Sequence, residues 1–123
     1  MGKEIYLKLK QKNIKTFIIS RPKKQITEDN LEEFYPLNSE NIIRVFNKSS
    51  IVINTIPSNI IPEDALDIKN TPYILDIASY PYGINEELIK KHNKKINYKL
   101  YLGIPSKYAP KKASEILLKV LNI

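Results

Sequence analysis

The chain has no cysteine and a single histidine, His92, among its 123 residues. Without thiols there is no disulfide to close the fold and no thiolate to act as nucleophile or zinc ligand, and one imidazole cannot build a histidine-rich metal centre. Also missing is any run approaching the roughly 18 uninterrupted apolar residues of a membrane-spanning helix. The opening Met1-Gly2-Lys3-Glu4 has no apolar core of the secretory-leader kind, so the expected location is the cytoplasm. Nor is this the composition of a disordered segment. The chain is 42% hydrophobic and 9% aromatic against 27% charged, values at which a globular core forms. At 123 residues it is expected to be one domain, residues 1–123, able to bury a core but short enough to be part of something larger.

What the chain has in excess is positive charge, a formal +7, and 18 of its 20 basic residues are lysine. A basic surface concentrates anions and is one signature of nucleic-acid binding. Here the lysines are scattered and do not line one helix face, as an electrostatic footprint requires. They come with abundant Ile and Asn, the mark that an AT-rich coding bias leaves on any surface. A basic binding module for an anionic partner is therefore an alternative reading, and nucleic acid is not the expected partner.

Hydrophobic patterning alternates between two periods. Gly2 to Asn13 carries Ile5, Leu7 and Leu9 among lysines and reads as a helix; Thr16 to Ser20 is a short β-prone run stopped by Arg21-Pro22. Lys23 to Asn38 reads as a connector with room for a short helix, after which Asn38 or Ser39 caps a helix carrying Ile42, Ile43, Val45 and Phe46. Ser50 to Asn54 is a second apolar strand, followed by the turn Asn54-Thr55-Ile56-Pro57-Ser58 and a helical turn near Pro62 to Leu66. Tyr73 to Ile77 is a third strand, broken by Ser79-Tyr80-Pro81-Tyr82-Gly83. Asn85 caps a helix to His92, Tyr98 to Tyr101 is a weaker fourth strand, and Pro110 opens a last helix to Leu121.

Short apolar strands separated by amphipathic helices need crossover connections. The expected fold class is therefore α/β: a Rossmann-like, three-layer domain with a mostly parallel sheet whose strands are buried on both faces. In such sheets ligands bind outside the carboxyl ends of the strands, where helix amino ends and free backbone amides converge. The candidates are the polar residues at those ends. Ser20 and Arg21 stand where an adenosine ribose would lie, and an arginine there suits a 2′-phosphate, favouring NADP over NAD. Asn54 and Thr55 offer an amide and a hydroxyl beside a cofactor, although Asn, Thr and Pro are also ordinary turn residues. Lys107 precedes the last helix and is a candidate contact for an anionic substrate or cofactor phosphate. Asp76, inside an apolar strand, requires hydrogen-bond partners and reads as structural, and His92 at a helix end is not favoured as a catalytic group. No catalytic residue is assigned.

The blocks Ile51 to Ser58, Ile74 to Ser79 with Pro81 and Gly83, and Gly103 to Leu117 match a known pattern in order and spacing. Together they resemble the carboxyl-terminal domain of the first of the two subunits of dipicolinate synthase, from about residue 2 to the end. The block from Gly103, with Pro105, Lys107, Ala109, Pro110, Lys111 and Ala113, is the most specific; a turn like Asn54 to Pro57 also occurs in shikimate dehydrogenase-like domains. The resemblance implies an oxidoreductase using NADP or NAD to make dipicolinic acid in spore-forming bacteria, with the second, flavoprotein-like subunit as partner. Carried over by position, it implies Ser20 and Arg21 at the adenosine end, Asn54, Thr55, Ile56 and Pro57 along the cofactor, and Ala78, Ser79 and Gly83 near the nicotinamide. A shikimate dehydrogenase-type oxidoreductase is the nearer alternative.

There are departures. The family places a substrate domain, a strand and Gly-x-Gly-x-x-Gly ahead of the first crossover helix, and only Gly2 stands at the last of those glycines. The chain is thus expected to be truncated at its amino end, without the first strand and pyrophosphate loop, to bind cofactor weakly, and to show no turnover alone. Tyr82 and Ser106 stand where glycine is expected. Because the first strand is central in such a sheet, its two neighbours, Thr16 to Ser20 and Ile51 to Asn54, are expected to pair with each other, to receive a strand from a separate polypeptide, or to meet edges of a second copy.

Overall fold

The computed structural model describes residues 2–21, 34–101 and 110–121. In chain order the elements are α1 (Gly2–Gln11), β1 (Ile18–Ser20), β2 (Phe34–Pro36), α2 (Ser39–Phe46), β3 (Ile51–Asn54), α3 (Glu63–Leu66), β4 (Tyr73–Asp76), α4 (Glu86–His92), β5 (Asn97–Leu100) and α5 (Pro110–Val120). Among the described residues every strand pairing is parallel: β1 with β2, β3 with β4, and β4 with β5.

The helix ends follow local chemistry. Past α1, Asn13 adopts φ 58°, and the chain closes with Ile14 N–H donating to the Leu9 carbonyl at 3.0 Å and Asn13 N–H to Lys10 at 3.0 Å. This is the paired bonding of a left-handed helix stop, with asparagine in the place glycine usually takes. At the start of α2, Asn38 is the cap, its Oδ1 accepting the Asn41 N–H at 2.7 Å; Asn85 does the same for Glu87 at 2.8 Å ahead of α4.

Alternation along the strands sorts side chains into two helical layers. On one face Leu75 and Ile77 pack with Ile5 and Leu9 of α1 and Leu117 and Leu118 of α5, with Ile53 and Tyr73 at the margin. On the other, Ile74 packs with Ile42 and Phe46 of α2, Ala65 and Leu66 of α3, and Ile84 and Ile96, with Ile19, Val52, Leu88 and Ile89 against them. Removing such side chains from water stabilises the fold by about 1.5–3 kcal/mol each. The result is the expected three-layer, Rossmann-like α/β arrangement, and no helix of the described residues is long and apolar enough to cross a membrane.

Two expectations need correction. Phe34–Pro36 is a strand, not connector or helix; three residues ending in proline carry too little periodicity to announce themselves, and only pairing with β1 defines them. The strands are also not uniformly buried on both faces. β1 is half-buried along its length and Ile51 of β3 is 39% exposed, because each lies at the edge of its own sheet. Of the three arrangements open to β1 and β3, pairing with each other is not found: among the described residues the sheet is split into β1-β2 and β3-β4-β5. That split leaves unpaired the two edges that would flank a central strand in the order expected for this fold class.

Candidate functional site at the carboxyl rim

Register decides where the strands end. Asn54 of β3 lies opposite Asp76 of β4, and Asp76 opposite Leu100 of β5, so the three carboxyl ends finish at one level. The amino end of α1 reaches the same rim, where a Cβ added to Gly2 would sit 3.3 Å from the Thr55 hydroxyl. Here the backbone N–H groups of a helix start and the loops after two strands converge, the usual setting for an anionic or nucleotide ligand.

Beneath the rim lies one buried polar network. Asp76 is fully buried, and its two carboxylate oxygens accept four hydrogen bonds. Asn54 Nδ2 donates to Oδ1 at 3.0 Å and the Ala78 N–H at 3.1 Å; the Gly83 N–H donates to Oδ2 at 2.7 Å and the Tyr98 hydroxyl at 2.8 Å. Asn54 also donates to the Ile56 carbonyl at 3.0 Å and accepts from the Ile56 N–H at 3.2 Å. A buried carboxyl group is tolerable only with such partners. The consequence is positional: one side chain fixes the loop after β3, the loop after β4 and the side chain of β5 relative to one another. Burial first, and then the bond to Asp76, push the Tyr98 hydroxyl well above the ordinary tyrosine range.

The loop after β4 is tied down at every turn. Tyr82 N–H donates to the Ser79 carbonyl at 2.9 Å, Ile61 N–H to Gly83 at 3.0 Å, and Asn59 Nδ2 to the carbonyls of Pro81 at 2.7 Å and Tyr82 at 2.9 Å. The Tyr80–Pro81 peptide is cis and Tyr82 has φ 65°. Gly83 allows no side chain, since a Cβ there would press on the Asn54 amide, 2.8 Å from its Cγ. Exposed Tyr80 and half-buried Tyr82 form an edge-to-face pair with ring centroids 5.5 Å apart.

Of the expected site residues, Asn54, Thr55, Ile56, Pro57, Ala78, Ser79 and Gly83 are brought together on these two loops. Asn54 and Ala78 are buried, and the Asn54 amide is engaged inside the network, where it shapes the loop. Thr55 is half-buried and Pro57 and Ser79 are exposed at the rim. Ser20 and Arg21 end β1 in the other sheet; Arg21 is exposed and the Ser20 hydroxyl donates to its carbonyl at 3.2 Å. Lys107 and Ser106 lie outside the described residues. Sequence reasoning passed over Tyr98, Asn59 and the Tyr80–Tyr82 pair. Nothing in their spacing marks them, because they act across 22 or more residues or through a ring contact that only the folded loop makes.

A second cluster joins α3 to α4. His92 Nε2 is 3.3 Å from Glu63 Oε2 and its Nδ1 3.7 Å from Asp67 Oδ1, while Lys91 Nζ is 3.1 Å from Glu63. These side chains offer three potential metal ligands within 4.8 Å of one another. The imidazole, however, turns its two nitrogens toward different carboxylates, and an ammonium already sits on Glu63. This is the arrangement of an ion-pair cluster. The hydrogen bonds from Lys91 and then His92 hold the half-buried Glu63 carboxyl below its ordinary range.

No protein-family profile matches the chain, and no curated protein does. Solved structures do. The crystal structure of the first dipicolinate synthase subunit from Bacillus halodurans superposes with a TM-score of 0.62 at 25% identity, over 94% of this chain and 39% of that one. The chain resembles that dipicolinate synthase subunit. The dipicolinate synthase A chain from Bacillus subtilis gives a TM-score of 0.52 at 26% identity, over 88% of this chain and 36% of its own. The chain therefore spans under two fifths of the length of either dipicolinate synthase structure.

Proposed function

We propose that this chain is the nucleotide-cofactor-binding part of an oxidoreductase akin to the first subunit of dipicolinate synthase, using NADP or NAD. What carries the reading is the coincidence at one rim of three in-register carboxyl strand ends with the amino end of α1, in a fold similar to those two structures. A dinucleotide laid across that rim has its pyrophosphate at the start of α1, its adenosine toward Ser20 and Arg21, and its nicotinamide between the loops of Thr55 to Pro57 and Ala78 to Gly83. When bound, the cofactor supplies hydride transfer. The chain's own residues shape the cleft: Asp76 and Asn54 hold both loops in place, and Arg21 offers a cation to a 2′-phosphate. Dipicolinate formation, a role in sporulation and the flavoprotein-like second subunit as partner belong to the same proposal. Catalysis would need the portion of such a protein that this chain does not match, contributed by a further polypeptide or a further segment.

The test is a titration of the chain with NADP and NAD at millimolar concentrations, followed by backbone amide NMR. Weak binding that shifts Gly2, Thr55, Ala78, Ser79 and Gly83 is expected, with NADP alone gaining from Arg21. Shifts confined to other surfaces, or none, would refute it. Measurable turnover by the chain alone would contradict the need for a further part.

A further inference from the structure

Tyr82 is a large, half-buried side chain at a backbone conformation such residues rarely adopt. A bulky residue at φ 65° is strained, because its Cβ crowds the following carbonyl, and such strain persists only where surrounding contacts over-determine the backbone. Those contacts are present: the loop is fastened at Ser79, Pro81, Tyr82 and Gly83 by backbone bonds, by Asn59 and by Asp76. All of them run through the backbone of the loop, so none depends on what Tyr82 carries as a side chain. Tyr80 in turn is 73% exposed and contributes little to burial. The strained position thus holds up an aromatic ring set against the other tyrosine.

The geometry of that contact suggests its use. The two rings meet edge to face at 87°, so that their planes stand at right angles, on a loop directly beyond the carboxyl end of β4. Tyrosine faces are electron-rich and attract planar cations more strongly than neutral rings. We infer that the Tyr80–Tyr82 corner receives the nicotinamide ring of the dinucleotide and favours its oxidised, pyridinium form over the reduced, neutral one. This rests on the cofactor reading above and deepens it: the pair sets which redox state the rim holds better. No bond is made or broken.

The experiment reads proton NMR of two probes against the full 123-residue chain: oxidised and reduced dinucleotide, and the cation 1-methylnicotinamide with neutral nicotinamide as its control. The nicotinamide protons of the oxidised dinucleotide should move upfield on binding. Tyr80→Ala/Tyr82→Gly should abolish that movement and weaken the oxidised form by about ten-fold, while leaving adenine protons shifted and the reduced form nearly unaffected. Tyr80→Phe/Tyr82→Phe, which keeps both ring faces, should retain the effect. Glycine suits φ 65° and Tyr80 is exposed, so the double variant is expected to fold, which its backbone amide spectrum reports. If the dinucleotide binds and the double variant binds both redox states as the parent does, this inference fails while the cofactor reading stands. If no dinucleotide resonance responds, the cofactor reading fails and 1-methylnicotinamide decides the corner by itself. Tyrosine-dependent shifts of that cation, absent for nicotinamide, support it, and none overturns it.

Discussion

Replacing Asp76 by asparagine changes one atom's chemistry with almost no change of shape, and so tests whether the rim is held by the buried network. In the parent all four partners donate to the carboxyl oxygens. Asparagine can keep an oxygen at the Oδ1 position for Asn54 and Ala78, but its NH2 then faces the Gly83 N–H and the Tyr98 hydroxyl. The hydroxyl can rotate to accept. The Gly83 N–H cannot, and it is buried, so it is left facing a donor at a cost of about 1–3 kcal/mol, with the weakening of hydrogen bonds to a carboxyl oxygen added. A loss of roughly 2–4 kcal/mol is therefore expected for Asp76→Asn, a large share of the roughly 5–15 kcal/mol that ordinarily stabilises a domain. Tyr98→Phe alone should cost about 1–2 kcal/mol. Because Tyr98 donates to the same oxygen, the double variant should cost less than the sum, with a coupling of about 1 kcal/mol. Urea denaturation followed by circular dichroism measures all three. If Asp76→Asn lies within about 0.5 kcal/mol of the parent, or if the two substitutions are strictly additive, the network does not hold the rim.

Other expectations follow from the same loops and from the α3–α4 cluster. Gly83→Ala drives a Cβ into the Asn54 side chain, 2.8 Å from its Cγ, and should destabilise by about 2–4 kcal/mol in the same denaturation assay; a neutral result would mean the loop moves freely. Tyr82→Gly should change stability by less than about 1 kcal/mol, whereas Tyr82→Val, β-branched at φ 65°, should be less stable than the glycine variant by roughly 1–2 kcal/mol. The raised Tyr98 hydroxyl contributes stability that is whole below the ordinary tyrosine value and declines as pH climbs beyond it, near pH 10, since the unfolded chain gives up that proton first. Thermal melts from about pH 8 to 11 should show this decline, shallower in Tyr98→Phe. Glu63 has the opposite sign: its lowered value means stability present above the ordinary glutamate range and lost as pH falls through it toward the folded value, a loss that Glu63→Gln should reduce.

What could be read from residues alone was whatever local chemistry dictates. The helix starts at Asn38 and Asn85 follow from a side chain bonding an amide two or three residues on, and β4 from the apolar residues around Asp76. Parallel pairing follows from strands separated by helices, and the rim loops from polar residues at the strand ends. The need of Asp76 for partners was equally visible, because burial of an unpaired carboxyl is so unfavourable. The identity of those partners was not: strand register brings Asn54 and Tyr98 to the carboxyl group, and the folding back of the loop after β4 brings Gly83. Tertiary structure also decided that Phe34–Pro36 is a strand, that β1 and β3 stay unjoined, and that Tyr80 meets Tyr82 at a right angle. Each depends on a pairing or packing partner, and side-chain periodicity carries no record of what lies across the sheet or beyond the turn.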